Sequence, residues 1–191
     1  MSDEPLAEGY VDPDAVLGTP PDGEVPTIGA APTIRAGTVI YSDVVVGDRF
    51  TTGHHALVRE ATTVGDDATV GTRAVVDGHS TLGDAVSLQT GAYVPAHSEL
   101  GDRVFLGPNA TLTNDPYPLR EAVDLAGPTL ADDVSVGAGA TVLPDVSVGE
   151  RSFVAAGAVV VDDVPADSLV AGVPGEVEPL PDRLAGRNES P

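Results

Sequence analysis

An aliphatic side chain returns at every sixth residue over most of this 191-residue chain. Counting from Ile28 to Leu112 and again from Leu130 to Val160 gives 21 such positions, and all but Thr52 are Ile, Leu or Val. A period of six fits neither the 3.6-residue turn of a helix nor the two-residue alternation of a long strand. It is typical of short strands joined by sharp corners, each strand pointing one aliphatic side chain inward. The sequence therefore predicts an all-β chain of short parallel strands, with at most one short helix near residues 178–187.

The repeating unit resembles the hexapeptide signature of left-handed parallel β-helix proteins. Val64-Gly65-Asp66-Asp67-Ala68-Thr69 is one example. The resemblance implies that three hexads make one triangular coil of 18 residues, so that the repeats form about seven coils. At ~4.8 Å between neighbouring strands, the prism would be about 34 Å long. The fold class expected is thus a left-handed β-helix with one projecting loop, and the resemblance also implies a homotrimer.

The periodicity divides the chain into three parts and one insertion. Residues 1–27 are acidic and rich in Pro, which indicates a flexible arm. Residues 28–175 form the β-helix domain, and residues 176–191 form a C-terminal tail. Within the domain, segment 113–129 interrupts the repeat with Asn114-Asp115-Pro116-Tyr117-Pro118 near its start. We expect it to leave the prism as a loop, either as an arm that reaches a neighbouring subunit or as a tolerated surface insertion.

The charge of the chain excludes several classes of function. Thirty acidic residues face nine basic ones, all Arg, which gives a net charge of −21 and argues against a nucleic-acid partner. Cysteine is absent, which excludes disulfides and thiolate metal sites. No apolar run approaches the ~20 residues that span a bilayer, and the acidic N-terminus is unlike a secretory signal. We expect a cytoplasmic protein without a membrane partner, with an acid-rich surface similar to those of halophilic proteins.

A coil of 18 residues places chemically active side chains in one column. His79, His97 and Asp115 are spaced by 18 and 18, and Asn114 lies beside Asp115 at the root of the loop. A neutral imidazole next to a carboxylate can act as a general base that the acid orients. His97 is therefore the candidate base, with His79 one coil farther from the loop. The alternative is that these are exposed corner residues without a role.

Two longer segments resemble acyltransferases of the hexapeptide-repeat family. Residues 136–175 are similar to the closing coils of members that bind acetyl-CoA along one corner, and residues 88–115 to the central coils of nucleotide-sugar N-acetyltransferases. In that second group a Thr-Asn pair opens the loop, as Thr113-Asn114 do here, and a coil Gln matches Gln89. The resemblance implies that acetyl-CoA binds along small residues at matching corners, with Arg151 available for its phosphates; these small residues are Gly137, Ala138, Gly139, Ala155, Ala156 and Gly157.

The resulting hypothesis is an acetyl-CoA-dependent acyltransferase acting on an amine or hydroxyl of a sugar, one linked to a nucleotide. His97, Asn114 and Asp115 are its catalytic candidates, and Gln89, His79 and Thr113 its acceptor-binding ones. No metal is expected. One alternative is a γ-class carbonic anhydrase-like enzyme, which needs three His with two of them five residues apart, whereas the four His here are His54, His55, His79 and His97. The other alternative is a non-catalytic β-helix binding protein.

Overall fold

The computed structural model of the protein describes residues 9–19 and 25–189 and shows three sheets that form the faces of a triangular prism. Face A contains the strands Tyr10–Val11, Thr33–Ile34, Thr51–Thr52, Thr69–Val70, Ser87–Leu88, Phe105–Leu106, Ser135–Val136, Phe153–Val154, Ser168–Ala171 and Glu176–Pro179. Face B contains Val16–Thr19, Val39–Tyr41, Leu57–Val58, Val75–Val76, Tyr93–Val94, Thr111–Leu112, Thr141–Val142 and Val159–Val160. Face C contains Thr27–Ile28, Val45–Val46, Thr63–Val64, Thr81–Leu82, Glu99–Leu100, Thr129–Leu130 and Ser147–Val148.

Successive strands lie on successive faces, and the chain returns to each face after one coil. Thr69 pairs in parallel with Thr51 on one side and with Ser87 on the other, which fixes the 18-residue register. The prediction of an all-β parallel prism is confirmed, with about eight turns rather than about seven. The 3-10 turn Asp182–Leu184 is the one helical element among the described residues, and it lies within the range predicted for a short helix.

The additional turn comes from residues expected to form a flexible arm. Tyr10–Val11 pairs with Thr33–Ile34 on face A, and Val16–Thr19 pairs with Val39–Tyr41 on face B. Val11 and Leu17 pack against the core six residues apart, as the repeat requires. Leu17 and Ile28 are eleven residues apart, which is not a multiple of six. The six-residue repeat counted from Ile28 therefore does not extend into this coil. The rest of the expected arm, residues 1–8 and 20–24, lies outside the described residues.

The interior of the prism is a continuous column of the repeat's aliphatic side chains. Ile34, Leu88 and Leu112 are fully buried, and small residues such as Ala74 and Ala110 fill the corners. Thr52 is the polar exception and is also fully buried. Its hydroxyl lies 2.9 Å from that of Thr38 and accepts a hydrogen bond from the backbone N–H of Arg35 at 3.0 Å. The one polar residue of the aliphatic pattern is therefore accommodated by hydrogen bonds with Thr38 and with the backbone of Arg35.

Replacing Thr52 with Val is expected to destabilise the protein, although Val is the residue type that the repeat favours there. The methyl group gains apolar burial, but the N–H of Arg35 and the hydroxyl of Thr38 each lose a partner, so we expect a net loss of about 1 kcal/mol. Urea unfolding measures the effect. Thr51→Val, on the outward side of the same strand, is the matched control and should change stability by less than about 0.5 kcal/mol. Equal or higher stability of the Thr52 variant would contradict this account of the pair.

The edge between faces C and A carries a ladder of aspartates that explains part of the acidity. The Oδ1 atom of each Asp accepts the backbone N–H of the residue stacked below it, at 2.7–2.9 Å. The ladder contains Asp48, Asp66, Asp84, Asp102 and Asp132. Gly47 precedes Asp48, and a Cβ there would lie 2.2 Å from the Asp66 carboxylate. The Gly-Asp pairs of the repeat therefore hold the coils together at this edge.

The C-terminal residues return along the outside of face A. Glu176–Pro179 is antiparallel to Ser168–Ala171 and is the last strand of that face. Asn188 then bonds to the prism through three groups. Its amide nitrogen donates to the carbonyl of Arg103 at 2.8 Å, its amide oxygen accepts from Ser135 at 2.9 Å, and its backbone N–H donates to Asp133 at 3.1 Å. Face A is thus partly covered by the protein's own chain.

Candidate active site

His79 and His97 lie on the edge between faces B and C, where each occupies the sharp point of a turn. Their backbones have positive φ values of 46° and 66°. The N–H of His97 donates to the carbonyl of His79 at 3.2 Å, and the two rings stack with centroids 5.3 Å apart and an angle of 25° between planes. Both side chains are exposed. The stacking that the 18-residue spacing predicts is therefore observed, and both rings are accessible to a substrate.

Asp115 does not continue this column. The backbone N–H of Gly127 donates to the carbonyl of His97 at 3.0 Å, so Gly127 takes the place above His97. The Asp115 carboxylate accepts the N–H of Tyr117 at 2.8 Å, and within the described parts of the chain it makes no hydrogen bond or ion pair with His97. The structure does not bring Asp115 onto the ring of His97, because the chain has already left the prism at the loop.

Asn114 ties the root of the loop to the coil that carries His97. Its side-chain nitrogen donates to the carbonyl of Ala96 at 3.0 Å, and its own carbonyl accepts the N–H of Ala126, at the returning end of the loop, at 3.1 Å. Thr113, just before it, bonds to the carbonyl of Val142 through both its N–H and its hydroxyl. One amide proton of Asn114 thus has a structural partner, and the second remains available for a ligand.

The edge between faces A and B carries the small residues expected to bind acetyl-CoA. Gly139 and Gly157 have φ values of 66° and 71°, and a Cβ on either would meet no atom within 4 Å. The N–H of Gly157 donates to the carbonyl of Ala138 at 3.0 Å, which stacks the two turns. These corners therefore present bare backbone to the solvent. They lie across face B from His97, on a different edge of the same chain.

Arg151 lies on a third edge, between faces C and A. Its guanidinium forms two 2.7 Å hydrogen bonds to Asp167 and a further contact with Glu150. It does not line the Gly/Ala edge, so the structure does not bring these two expected cofactor-binding elements together. Gln89 opens a turn of the Gly/Ala edge, and its side-chain nitrogen donates to the hydroxyl of Ser87 on face A at 2.9 Å.

A polar network beside the histidine column was not identified from the sequence. Asp77 accepts a hydrogen bond from Arg59 at 2.7 Å and from the hydroxyl of Tyr93 at 2.9 Å. Burial, together with the hydrogen bond to Asp77, raises the pKa of Tyr93 to about 12, so its phenol stays protonated. The guanidinium of Arg59 also lies 5.7 Å from the ring centroid of Tyr41. Tyr41, Arg59 and Asp77 follow one another at intervals of 18 residues, the length of one coil. This spacing is the sequence feature that could have predicted the network.

The loop presents apolar side chains to solvent just above this column. Tyr117, Leu119, Val123 and Leu125 are all exposed, and Leu119 is completely so. Exposed apolar groups concentrated on one projection favour contact with another surface.

Two further observations concern metals and membranes. In the part of the chain that the structure describes, no three His, Asp or Glu side chains come together so as to hold a metal ion. Nor does any helix there have the length and apolar character needed to cross a bilayer.

Comparison with family models gives two matches, both to six-residue repeats. The model of the bacterial transferase hexapeptide (six repeats) matches residues 127–162, and that of the hexapeptide repeat of succinyl-transferase matches residues 61–96. Both matched segments lie in the prism. The first contains the small residues at 137–139 and 155–157, and the second contains His79.

Similar proteins are acyltransferases. A serine acetyltransferase of Synechococcus elongatus is 44% identical over 50 residues, which are 26% of this chain and only 20% of that relative. The crystal structure of LpxA, a UDP-N-acetylglucosamine acyltransferase from Bacteroides fragilis, has a TM-score of 0.65 at 16% identity and covers 92% of this chain and 73% of its own. The UDP-N-acetylglucosamine acyltransferase from Campylobacter jejuni has a TM-score of 0.59 at 18% identity, over 88% and 74%. The two structures share the fold of this protein.

Proposed function

We propose, from the premise that this chain belongs to the hexapeptide-repeat proteins, that it transfers an acetyl group from acetyl-CoA to an amine or hydroxyl of a nucleotide-linked sugar. The observation that carries the proposal is the pair of stacked, exposed imidazoles of His79 and His97 beside Asn114 at the root of the loop. An accessible imidazole nitrogen can accept a proton from an attacking nucleophile.

The proposed chemistry is direct attack of the acceptor on the thioester carbonyl. His97 takes the proton from the attacking nitrogen or oxygen as the new bond to carbon forms, and the thiolate of CoA leaves. The free amide proton of Asn114 faces the acceptor or the oxyanion that develops on the carbonyl oxygen. Because Asp115 does not touch His97, the ring is held by its stacking on His79 and by the turn.

Acetyl-CoA is proposed to lie along the edge of Gly139 and Gly157. Bare backbone allows an extended ligand to approach closely and to bond with peptide groups. The openness of both glycines supports this placement. Since Arg151 is on another edge and paired with Asp167, the phosphates of CoA would need other cations.

A homotrimer is proposed because only one of the three faces is both apolar on its outer side and left open by the described parts of the chain. The outward side chains of face C are all exposed and nearly all polar, and the C-terminal residues partly cover face A. Face B is mostly apolar on its outer side; its outward residues are Val16, Val39, Leu57, Val75, Tyr93, Thr111, Thr141 and Val159.

Packing of face B would also complete the site. The His97 edge and the Gly139 edge are the two edges that border face B. If face B of each chain turns toward a three-fold axis, the His97 edge of one chain meets the Gly139 edge of its neighbour. The acceptor side and the donor side, separated in one chain, would then share one cleft, with the apolar loop reaching across it.

The test is an acetyl-transfer assay that measures the thiol of released CoA in concentrated salt. The acceptors are amino-sugar nucleotides, the corresponding hydroxyl sugars and L-serine, the last because the serine acetyltransferase is a relative. We expect release that depends on a sugar nucleotide. Release with serine alone would contradict the proposed acceptor, and no release with any acceptor would contradict acyl transfer.

A further inference from the structure

The C-terminal residues and the last coils enclose a cavity on the outside of face A. Its volume is about 250 Å³. Arg183 and Arg187 line it from the C-terminal side, and Arg151, Ser135 and Asn188 line it too. Three of the nine basic residues of a chain with a net charge of −21 therefore meet at one cavity.

Two of these arginines form no ion pair in the described part of the chain, although the charge of Arg187 helps to lower the pKa of Asp133. The guanidinium of Arg151 is paired with Asp167 and Glu150. Arg183 and Arg187 are exposed and form no ion pair with any residue in 9–19 or 25–189. Elsewhere in the described chain, Arg49, Arg59 and Arg103 are paired with carboxylates, whereas Arg35, Arg73 and Arg120 form no ion pair and do not line this cavity.

The one carboxylate that lines the cavity already has partners. Asp133 is almost wholly buried and receives two hydrogen bonds from Arg103, at 2.8 and 3.0 Å. Although burial pushes the pKa of Asp133 upward, the bonds from Arg103 and from the N–H of Asn188 hold that pKa below its usual range. The acidic Asp182 and Glu189 do not line this cavity, and Glu189 lines a separate one of about 170 Å³. The cavity is therefore cationic.

We infer that this cavity, which we call the arginine pocket, binds a phosphate or pyrophosphate group. Guanidinium groups recognise phosphate oxygens with paired, charge-assisted hydrogen bonds. Asn188 fixes the position of the two arginines, because its three bonds hold this end of the chain against Arg103, Asp133 and Ser135. The inference goes beyond acyl transfer, since the pocket lies on neither of the edges proposed for catalysis and would bind its anion without any reaction.

The test measures binding of inorganic pyrophosphate by calorimetry at a fixed ionic strength. The double variant Arg183→Gln/Arg187→Gln should bind about tenfold or more weakly than the wild type. Arg35→Gln/Arg73→Gln is the matched control for the pyrophosphate titration, because it removes the same charge from two exposed arginines on the edge between faces A and B. The control should bind like the wild type. Asn188→Ala, which keeps both arginines but releases their anchor, should also bind more weakly, and circular dichroism checks that each variant keeps its β signal.

If the control pair loses as much affinity for pyrophosphate as the Arg183/Arg187 variant, the effect is one of net charge and the inference is overturned. Unchanged affinity in the Arg183/Arg187 variant, or no binding by the wild type, would overturn it as well. Parallel titrations with CoA and with UDP identify the source of the phosphate. A loss confined to CoA assigns the pocket to the donor, and one confined to UDP assigns it to the acceptor. A loss confined to pyrophosphate assigns it to a free anion. None of these titrations requires catalytic turnover, so failure of the transfer assay leaves this result interpretable.

Discussion

Replacing His97 with Ala is expected to lower turnover by about 10²–10⁴-fold while leaving the affinity for CoA nearly unchanged. The reason is that the imidazole removes a proton only as the acceptor attacks, and acetyl-CoA is proposed to bind on another edge. Stopped assays of thiol release, with acceptor and donor varied separately, measure kcat and both KM values. A transfer to oxygen should suffer more than a transfer to an amine that is already deprotonated.

Two substitutions provide the contrast for this experiment. His54→Ala removes an exposed imidazole from the edge between faces A and B, and it should leave turnover close to that of the wild type. Asp115→Asn should also have little effect, because this carboxylate caps a turn at Tyr117 instead of holding His97. If His97→Ala retains wild-type turnover with a good acceptor, the stacked column is only a corner of the prism, and the base must be sought elsewhere.

The repeat predicts the prism well because its period is a direct consequence of geometry. One inward residue per six and one coil per 18 suffice to place His79 beneath His97. The same arithmetic separates Arg151 from the Gly/Ala edge, since Arg151 and Gly157 are one hexad apart and therefore lie on neighbouring edges. For Asp115 the repeat no longer predicts the position correctly. Beyond Thr113 the chain leaves the prism, and Gly127, which follows His97 by 30 residues instead of 18, takes the next place in the column.

Contacts made by segments outside the repeat had no periodic signal. Asn188 meets Arg103 and Ser135, 85 and 53 residues away, after the chain has reversed direction at Glu176–Pro179. No spacing rule connects these positions, because the connection depends on how the C-terminal residues fold back over face A. The arginine pocket is for the same reason visible only in three dimensions.

Replacing Leu57 with Asp is expected to convert the proposed trimer into monomers and to abolish most of the proposed activity. Leu57 lies on the third of the eight strands of face B, half-buried between Val39 and Val75 on the adjacent strands. A carboxylate there would be taken out of water without a partner, and three-fold symmetry would repeat the penalty in every subunit. The proposed site joins the His97 edge of one chain to the Gly139 edge of the next. A monomer would therefore keep both edges but could not form the cleft between them.

Light scattering in about 1 M salt measures the assembly, since the Debye length there is about 3 Å and the mutual repulsion of chains carrying −21 is screened. Thr63→Asp is the matched control, because it adds the same charge on the exposed outer side of face C. The control should remain trimeric and active. A trimer that survives Leu57→Asp but not Thr63→Asp would place the interface on face C, and the two edges that border face B would then no longer be expected to meet.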